Sequence, residues 1–409
     1  MLRSMFSAIS GLRGHQVMMD VIGNNIANVN TVGFKSGRVN FQDILSQTFR
    51  GASAPNGGLG SVNPAQVGLG MTVAGIDVLH TQGNLQSTGR LTDMAIQGDG
   101  FFVLSDGARQ YFTRDGAFDI SLDGSLVNPA LGLKVQGWQA NSAGVVDTTT
   151  AVTSILIPLG QRTTALATST ADIRGNLDAS AAVGGTASTT INVFDTLGNR
   201  HSIKVNFTKT AANAWSWAAT ADPTDTGTTT TSSGTLAFTS GGVWSAATGS
   251  PITVAFTNGA TTPATVPANF TQMTQYSGSS AVSGMTNGFT SGSLVTFTIG
   301  SGGDITGVYT NGQTQALGQI AMASFVNPGG LTRQGQNLFG VSSASGAAGI
   351  GQPGQSGRGA VTTGSLEMSN VDLATQFTGM ITAERGFQAN GRVITTSDEM
   401  LQELVNLKR

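Results

Sequence analysis

The chain contains no cysteine, which excludes disulfide bonds, thiolate metal ligands and cysteine nucleophiles. It has three histidines among 409 residues, and none stands in a metal-binding or catalytic spacing. His15 is expected on the polar side of a helix and His201 in a surface turn. We therefore expect no catalytic residue, no metal site and no bound cofactor, and we predict that the protein is not an enzyme.

Charge and long apolar runs are also scarce. Charged residues make up 10% of the chain, well below the roughly 25% of an ordinary globular protein. A net charge of −2 provides no basic surplus for nucleic acid or an anionic membrane. No apolar run approaches the ~20 residues that span a bilayer, and residues 1–5 do not begin a cleavable secretory signal. We expect no nucleic-acid partner, no membrane insertion and no cleaved signal peptide.

Proline is missing from both ends of the chain. All ten prolines lie between Pro55 and Pro353, so long helices can form on either side. Near the N-terminus, apolar residues recur in a heptad-like pattern at Leu2, Met5, Ile9, Leu12, Met19, Ile22 and Ile26. Near the C-terminus they recur every seven residues, with a second track beside them, at Leu373, Phe377, Met380, Phe387, Ile394, Leu401 and Val405. Ser369 or Asn370 is expected to cap this second helix, with Asp372 near its positive end.

A strict seven-residue period favours a left-handed supercoil over an isolated helix. Each helix could instead pack alone on its own domain. Two such stripes at opposite ends of a β-rich chain are better explained by packing on each other. We predict that the terminal helices pair as a coiled coil and that the two sets of apolar residues form an assembly interface.

The region between the helices carries β signals. Asp-Gly pairs begin at Asp99, Asp106, Asp115 and Asp123, and apolar runs between them predict tight hairpins. Further strands are predicted at residues 154–157, 191–194, 203–208, 252–256 and 294–299. The predicted fold class is mainly β with long terminal α-helices, with antiparallel β domains of barrel or sandwich type inserted between them.

The composition divides the chain into four parts. Residues 1–30 with 366–409 are predicted to form the paired helices, and residues 31–70 with 341–365 an extended linker region. Residues 71–145 with 300–340 are predicted to form a β domain. Residues 146–299, rich in threonine, serine, glycine and alanine, are predicted to form an inserted outer β domain.

Two other features suggest different functions. The glycines of residues 349–354 have a dinucleotide-binding spacing, but they lie in the predicted linker with Pro353 in the turn, which argues against nucleotide binding. Trp215, Trp217 and Trp244 could line the concave face of a carbohydrate-binding module, although core packing is the commoner role. A secreted β-rich enzyme or binding module therefore stays open as the alternative class.

One string is too specific to be explained by helix capping alone. Residues 20–35, DVIGNNIANVNTVGFK, place four asparagines within seven residues where a helix should end. This string resembles the N-terminal motif of the flagellar rod, hook and hook-associated axial proteins. Similar matches are LEMSNVDL at 366–373, ERGFQAN at 384–390, DEML at 398–401, GDGFFV at 98–103 and FVNPGGL at 325–331. The residues that carry the family motif are Asn24, Asn25, Asn28, Gly33, Phe34, Lys35, Ser369, Asn370, Asp372 and Asn390.

The resemblance implies a structural subunit that polymerises with itself into a tube around an export channel. The large insert favours a hook member, which would be a curved universal joint transmitting motor torque to the filament, with a distal rod member as the alternative. The implied partners are further copies of the chain, the rod, hook-cap and hook–filament junction proteins, and the flagellar type III export apparatus. The implied location is the extracellular part of the bacterial flagellum.

Overall fold

The computed structural model describes the chain apart from residues 1, 53, 56–60, 142–143, 161, 224, 226, 231, 408–409 and the side chain of Leu2. The described part is mainly β, with helix α1 at Leu2–Ala27, helix α2 at Leu373–Asn406 and a short 3-10 turn at Pro328–Gly330. This confirms a mainly β chain with one long helix near each end. Among the described helices, none combines the length and the apolar character needed to cross a membrane.

The chain divides into two units. The first contains Met1–Ile157, Thr298–Thr306 and Ala316–Arg409, and the second contains Pro158–Phe297 and Gly307–Gln315. Residues 146–157, which the sequence places in the insert, lie in the first unit because Ile155 donates a backbone hydrogen bond to Val135 (3.0 Å) and is fully buried. The four-part division itself remains a prediction.

The first twelve strands belong to the first unit. They are β1 Gly37–Asp43, β2 Ser46–Arg50, β3 Ala65–Gly68, β4 Met71–Val78, β5 Leu85–Ser87, β6 Met94–Gln97, β7 Phe101–Ser105, β8 Gln110–Thr113, β9 Asp119–Ile120, β10 Leu126–Asn128, β11 Leu133–Gln139 and β12 Thr153–Ser154. Strand β7 lies inside a larger sheet, between β11 and β8. Its side chains alternate, so that Phe102 packs against Phe118 while Phe101 packs against Phe325 and Phe339 on the other face.

Strands β13 to β23 lie in the second unit. They are β13 Ala171–Asn176, β14 Thr186–Phe194, β15 Arg200–Ala211, β16 Ala214–Ala221, β17 Thr228–Thr230, β18 Ser233–Phe238, β19 Trp244–Ala247, β20 Ile252–Phe256, β21 Ala264–Val266, β22 Ala268–Thr274 and β23 Ala281–Thr286. They form a five-stranded antiparallel sheet in the order β14-β15-β16-β18-β19 and two three-stranded sheets. One pair, β13 with β22, is parallel, which departs from the predicted all-antiparallel domain. The long stretch of chain between these two strands permits the crossover that parallel pairing requires.

The core of the second unit answers the question raised by its tryptophans. Trp215 and Trp217 alternate along β16 and are both about 1% exposed, inside a cluster that includes Phe207 and Phe270. Trp244 is partly buried against the same cluster. These rings pack the core and therefore offer no aromatic platform for a sugar.

The remaining strands follow in chain order. They are β24 Leu294–Ile299, β25 Asp304–Tyr309, β26 Thr314–Ile320, β27 Met322–Ser324, β28 Thr332–Gly335, β29 Leu338–Gly340, β30 Gly349–Gly351, β31 Ala360–Thr363 and β32 Ser365–Glu367. The strands predicted at 252–256 and 294–299 coincide with β20 and β24, and those at 191–194 and 203–208 lie within β14 and β15. The strand predicted at 154–157 is regular only at Ser154.

The segments predicted as linkers are extended, and several of their strands pair with the β domain. Strand β1 pairs antiparallel with β4, β31 with β6, and β32 with β5. Val361 in β31 is 3% exposed, so this part of the C-terminal segment is held by packing as well as by hydrogen bonds. These pairings attach the segment that follows α1 and the segment that precedes α2 to the β strands of the first unit.

Candidate assembly interface and polar junction

Helices α1 and α2 pack against each other in antiparallel orientation. The Ser4 and Ser397 hydroxyls lie 3.5 Å apart at one end, and Asn25 Nδ2 donates to Gln376 Oε1 over 3.0 Å at the other. Between these ends Gly11 faces Asn390, His15 faces Gly386 and Ile22 faces Gly379. The successive steps of seven, four, seven and three residues forward along α1 are matched by equal steps backward along α2, so the register is constant.

Small residues make this contact possible. A methyl group added to Gly386 would lie 2.5 Å from His15 Nε2, and one added to Gly11 would lie 2.6 Å from Asn390 Nδ2. Ala8 and Ala383 are buried on the same faces. His15 therefore sits in a notch between the helices, contrary to its expected place on the polar side. The close helix–helix contact runs along these small residues, because the distance between packed helices depends on the side chains at the contact.

The heptad residues predicted from the sequence lie mostly beside this contact. Ile22 is buried, and the half-buried members are Met5, Leu12, Met19, Ile26, Met380, Ile394 and Leu401. The exposed members are Ile9, Leu373, Phe377, Phe387 and Val405. The side chain of Leu2 lies outside the described residues. A heptad period identifies an apolar stripe, but it does not show whether the stripe meets its own chain or another.

One part of that apolar surface is continuous along α2. Leu373, Phe377, Ile381 and Phe387, called the α2 stripe below, recur at helical spacing and are 39–59% exposed. At 100° per residue these four side chains lie within about 120° of one another around α2, so they form a broad apolar face, unlike the scattered exposed leucines of an ordinary surface. Such a patch is typical of a surface that another protein covers.

The asparagine-rich motif joins α1 to the strands that follow it. Asn25 is 1% exposed, and its side chain both donates to the Gly37 carbonyl (2.8 Å) and accepts from the Gly37 amide (2.9 Å). Asn24 and Asn28 bond locally, since Asn28 Nδ2 donates to the Asn24 carbonyl and side chain (2.9 and 3.0 Å). Asn25 therefore fixes the start of β1 while also contacting α2.

A buried ion cluster lies where the two ends of the chain meet the β domain. Lys35 Nζ donates to Glu367 Oε1 over 2.5 Å, and Arg114 Nη1 donates to Glu367 Oε2 over 3.2 Å. The three side chains are 0–2% exposed. Glu367 Oε1 also accepts from the Gly83 amide (2.8 Å), and Lys35 also donates to the Thr81 carbonyl (2.8 Å). One carboxylate thus binds groups from three other segments of the chain.

Burial sets the electrostatics of this cluster. Desolvation lowers the pKa of Lys35 and of Arg114, and the charge of Glu367 opposes the shift in both. Burial, together with the positive charges of Lys35, Arg114 and Arg333, lowers the pKa of the neighbouring His80 to about 4. The His80 imidazole is therefore neutral at neutral pH.

Two further motif residues, Gly33 and Phe34, lie next to Lys35 of the ion cluster in the sequence. Gly33 adopts φ of +67°, and a methyl group there would lie 2.6 Å from the backbone nitrogen of Asp115, so only glycine fits. The Gly33 amide donates to the Glu367 carbonyl over 2.7 Å. Phe34 is buried beneath the Arg333 guanidinium, 5.2 Å from its ring centre, and Arg333 donates to the Lys35 carbonyl.

The C-terminal motif attaches the start of α2 to the strands β1 and β4 through hydrogen bonds of Asn370. Asn370 accepts from the Ser36 amide (2.8 Å) and donates to the Leu79 carbonyl (2.8 Å). Its side chain therefore joins the residue just before β1 to the residue just after β4. Asp372 is the residue that caps α2, accepting from the Ala374 amide over 3.0 Å. The predicted cap at Ser369 or Asn370 is therefore wrong by two or three residues, because Asn370 is engaged with the β domain. Ser369 accepts only from the Val371 amide (3.3 Å) among described partners.

We call Asn25, Lys35, Arg114, Glu367 and Asn370 the polar junction. Sequence reasoning named three of these residues and missed the roles of Arg114 and Glu367. The available signal was the position of Glu367 inside the LEMSNVDL string of a chain with little charge. No local pattern showed that Arg114 would approach it. The polar junction has no group poised for bond chemistry, since its charged atoms are buried and paired with one another.

His201, which the sequence placed in a surface turn, lies in the second unit and is also buried. Its Nδ1 lies 2.9 Å from Asp225 Oδ2 and 2.6 Å from Thr228 Oγ1, and its Nε2 lies 3.3 Å from Asp195 Oδ2. His201 is 5% exposed, which corrects its expected place on the surface. This arrangement ties the Asp195 turn to the sheet and has no open face for a substrate.

Family models match along most of the chain. They are described as flagella basal body rod protein (residues 5–35), flagellar hook protein FlgE/F/G D1 domain (95–171), flagellar basal body protein FlaE D2 domain (161–289) and flagellar basal body rod FlgEFG protein C-terminal (362–407). Together they define a rod or hook component of the bacterial flagellum.

Individual relatives separate hook from rod. The chain is 40% identical to the flagellar hook protein FlgE of Borreliella burgdorferi, over 100% of both chains. It is 33% identical to the flagellar basal-body rod protein FlgG of Bacillus subtilis, again over 100% of both. The crystal structure of Helicobacter pylori flagellar hook protein FlgE2 shares the fold, with a TM-score of 0.57 at 14% identity over 69% of this chain and 100% of that one. The chain belongs to the flagellar hook protein family and is a structural subunit of the hook, in a family not known for enzymes.

Proposed function

We propose that this subunit polymerises through the α2 stripe into the curved tube of the hook, which encloses an export channel and transmits motor torque to the filament. The proposal depends on one observation: the α2 stripe is exposed although α2 already packs against α1 through small residues. Full burial of an exposed large apolar side chain supplies about 1.5–3 kcal/mol. Because the four side chains of the α2 stripe are 39–59% exposed, burying them between subunits would supply roughly half of that for each one. The same stripe would stay in water in an isolated subunit.

Within the polymer, we expect the helix pairs of neighbouring subunits to form the inner wall and to supercoil. The seven-residue spacing of Met380, Phe387 and Ile394 supports a left-handed supercoil. The remaining predicted interface residues, from Leu2 to Val405, would then share their burial between the helix pair and its neighbours.

The polar junction suits the transfer of load between the helices and the β domain. Its ion pairs and amide hydrogen bonds are directional and connect the chain entering α2 with the chain leaving α1. Hydrogen-bonded groups in a buried polar network favour one arrangement and make it rigid. In the polar junction Arg114 Nε is buried without a hydrogen-bond partner among the described residues, while the ion pairs and the amide hydrogen bonds are formed. We infer that torque passes from one part to the other through these bonds.

The rod, the hook cap, the hook–filament junction proteins and the type III export apparatus are proposed as further partners. We also propose an extracellular location reached without a cleaved signal peptide. Membership of the hook family supports these proposals at the level of the flagellum. Pull-down of each partner by the purified subunit tests them one at a time.

The central test uses Phe377→Asp and Phe387→Asp, with Thr382→Asp as the matched control. Thr382 is an exposed residue of α2 that lies on a different face from the α2 stripe. Both stripe variants should fail to form tubes in electron microscopy, because a buried unpaired carboxylate is costly, while the control should polymerise. Fluorescence of the buried Trp215 and Trp217 reports whether the second unit stays folded. Tube formation by both stripe variants would refute the proposal.

A further inference from the structure

A groove runs between α1 and the strands that follow it. Its volume is about 430 Å³, and its apolar walls come from both elements. The apolar residues are Phe6, Ile9, Val17, Ile44, Leu69, Met71 and Val73. The strand side is held to the helix by the Met71 amide, which donates to Ser10 Oγ over 3.2 Å. We call this feature the α1 groove.

The α1 groove lies on the side of α1 that faces away from α2. The residues of α1 that meet α2 include Gly11 and His15, whereas Phe6, Arg13 and Val17 line the groove. At 100° per residue, Arg13 stands about 200° around the helix from Gly11 and from His15. The subunit's own α2 therefore cannot fill the groove, and Phe6 is left 68% exposed at its edge.

The charges along the two surfaces are complementary. Arg13 lies in the groove between Ile9 and Val17, is exposed and has no ion-pair partner among the described residues. On α2, Glu384 lies three residues after Ile381 and three before Phe387, on the same face as the α2 stripe. Among the described residues, the side chain of Glu384 has one hydrogen-bond partner, Gln388, whose Nε2 donates to it over 2.9 Å. Each surface thus has one charge flanked by apolar side chains, and the signs are opposite.

We propose that the α2 stripe of one subunit docks in the α1 groove of a second copy, with Glu384 opposite Arg13. This inference rests on the proposed polymerisation and names the surface that receives the stripe. Because the α2 stripe and the α1 groove are different surfaces of the subunit, the contact between two copies is head to tail. A head-to-tail contact repeats without pairing off into a closed dimer, and it generates rings or helical assemblies.

A charge exchange tests the docking. Arg13→Glu and Glu384→Arg should each raise the critical concentration for polymerisation about tenfold, a plausible coupling for one charged contact pair. The double variant should return it to within about twofold of the unmodified protein. Combining Arg13→Glu with Glu403→Arg, on another face of α2, should give no recovery. A double exchange no better than the single ones would overturn the proposal.

Because the chain has no cysteine, cross-linking provides a measurement that does not depend on polymerisation yield. The Arg13→Cys/Glu384→Cys variant, treated in the assembled state with a bismaleimide linker about as long as an Arg–Glu pair, should give a ladder of covalent multimers on a denaturing gel. A linker is used because a direct disulfide requires Cα atoms within about 7 Å, which is closer than these two long side chains need to be. The Arg13→Cys/Glu403→Cys variant should not. Monomer alone from the first variant would contradict the docking.

The two proposals can fail separately. If Phe377→Asp and Phe387→Asp both polymerise normally, the α2 stripe is not an assembly surface and both proposals are wrong. If Phe387→Asp blocks assembly while the charge exchange gives no recovery and the cysteines do not cross-link, the stripe is an interface but the α1 groove is not its acceptor.

Discussion

Replacing Glu367 by glutamine should destabilise the first unit strongly. Glu367 is fully buried and is the carboxylate shared by Lys35 and Arg114, at 2.5 and 3.2 Å. Glutamine keeps the shape but removes the charge, which leaves two cations in the interior with no counterion. Its amide group would also direct N–H donors at atoms that are themselves donors.

The magnitude follows from the burial. Removing one partner of a buried ion pair costs about 3–5 kcal/mol, a large part of the about 5–15 kcal/mol that stabilises a typical protein. At about 2–4 °C per kcal/mol, the melting temperature of the first unit should fall by about 6–20 °C. The exposed pair between Arg90 and Asp119 is the matched control, since both side chains are more than half exposed. Arg90→Gln should cost less than about 1 kcal/mol.

Hydrogen exchange read by mass spectrometry measures the two units separately. Glu367→Gln should speed exchange in β6 and β31, while β15 and β16 of the second unit serve as an internal reference. A loss no larger than that of Arg90→Gln would refute the reasoning, because it would mean that Lys35 and Arg114 do not depend on Glu367 for their charge balance.

Three further outcomes are expected. The folded pKa of His80, about 4, lies below the ordinary value of 6.5, so the unfolded chain takes up a proton first and stability should fall as pH drops from 6.5 towards 4. Denaturant titrations at pH 5–6.5 should show that slope flattened in His80→Gln. Gly386→Ala should destabilise the helix pair by overpacking against His15, and His15→Ala should relieve it. Gly391→Ala, with open space around it, should instead raise helix stability by up to about 1 kcal/mol in far-UV circular dichroism melts. Gly33→Ala should lower the melting temperature and slow assembly, because positive φ and a backbone collision combine there; unchanged melting would contradict this.

The helices and several strands could be predicted from the sequence because their signals are local. Alternating and seven-residue apolar patterns identified α1, α2, β20 and β24, and a motif string identified the family. Strand pairing between distant segments, such as the parallel pair of β13 with β22, carries no comparable local signal.

The helix contact and the polar junction were harder to predict from the sequence, for two different reasons. Gly11 and Gly386 have no side chain to produce a hydrophobic pattern, yet they set the line along which the helices meet. Lys35 and Glu367 are 332 residues apart, so their pairing depends on how the whole first unit folds. The apolar stripes were visible, but their partner could not be inferred from periodicity alone.

An electron cryomicroscopy map of the assembled polymer, with side chains resolved, tests the central claim most directly. The account predicts that Phe377, Ile381 and Phe387 are covered by the α1 groove of a neighbouring subunit, with the small-residue contact between α1 and α2 of each subunit preserved. A map in which these three side chains face the channel or solvent, or in which they pack against α1 of their own subunit, would contradict it.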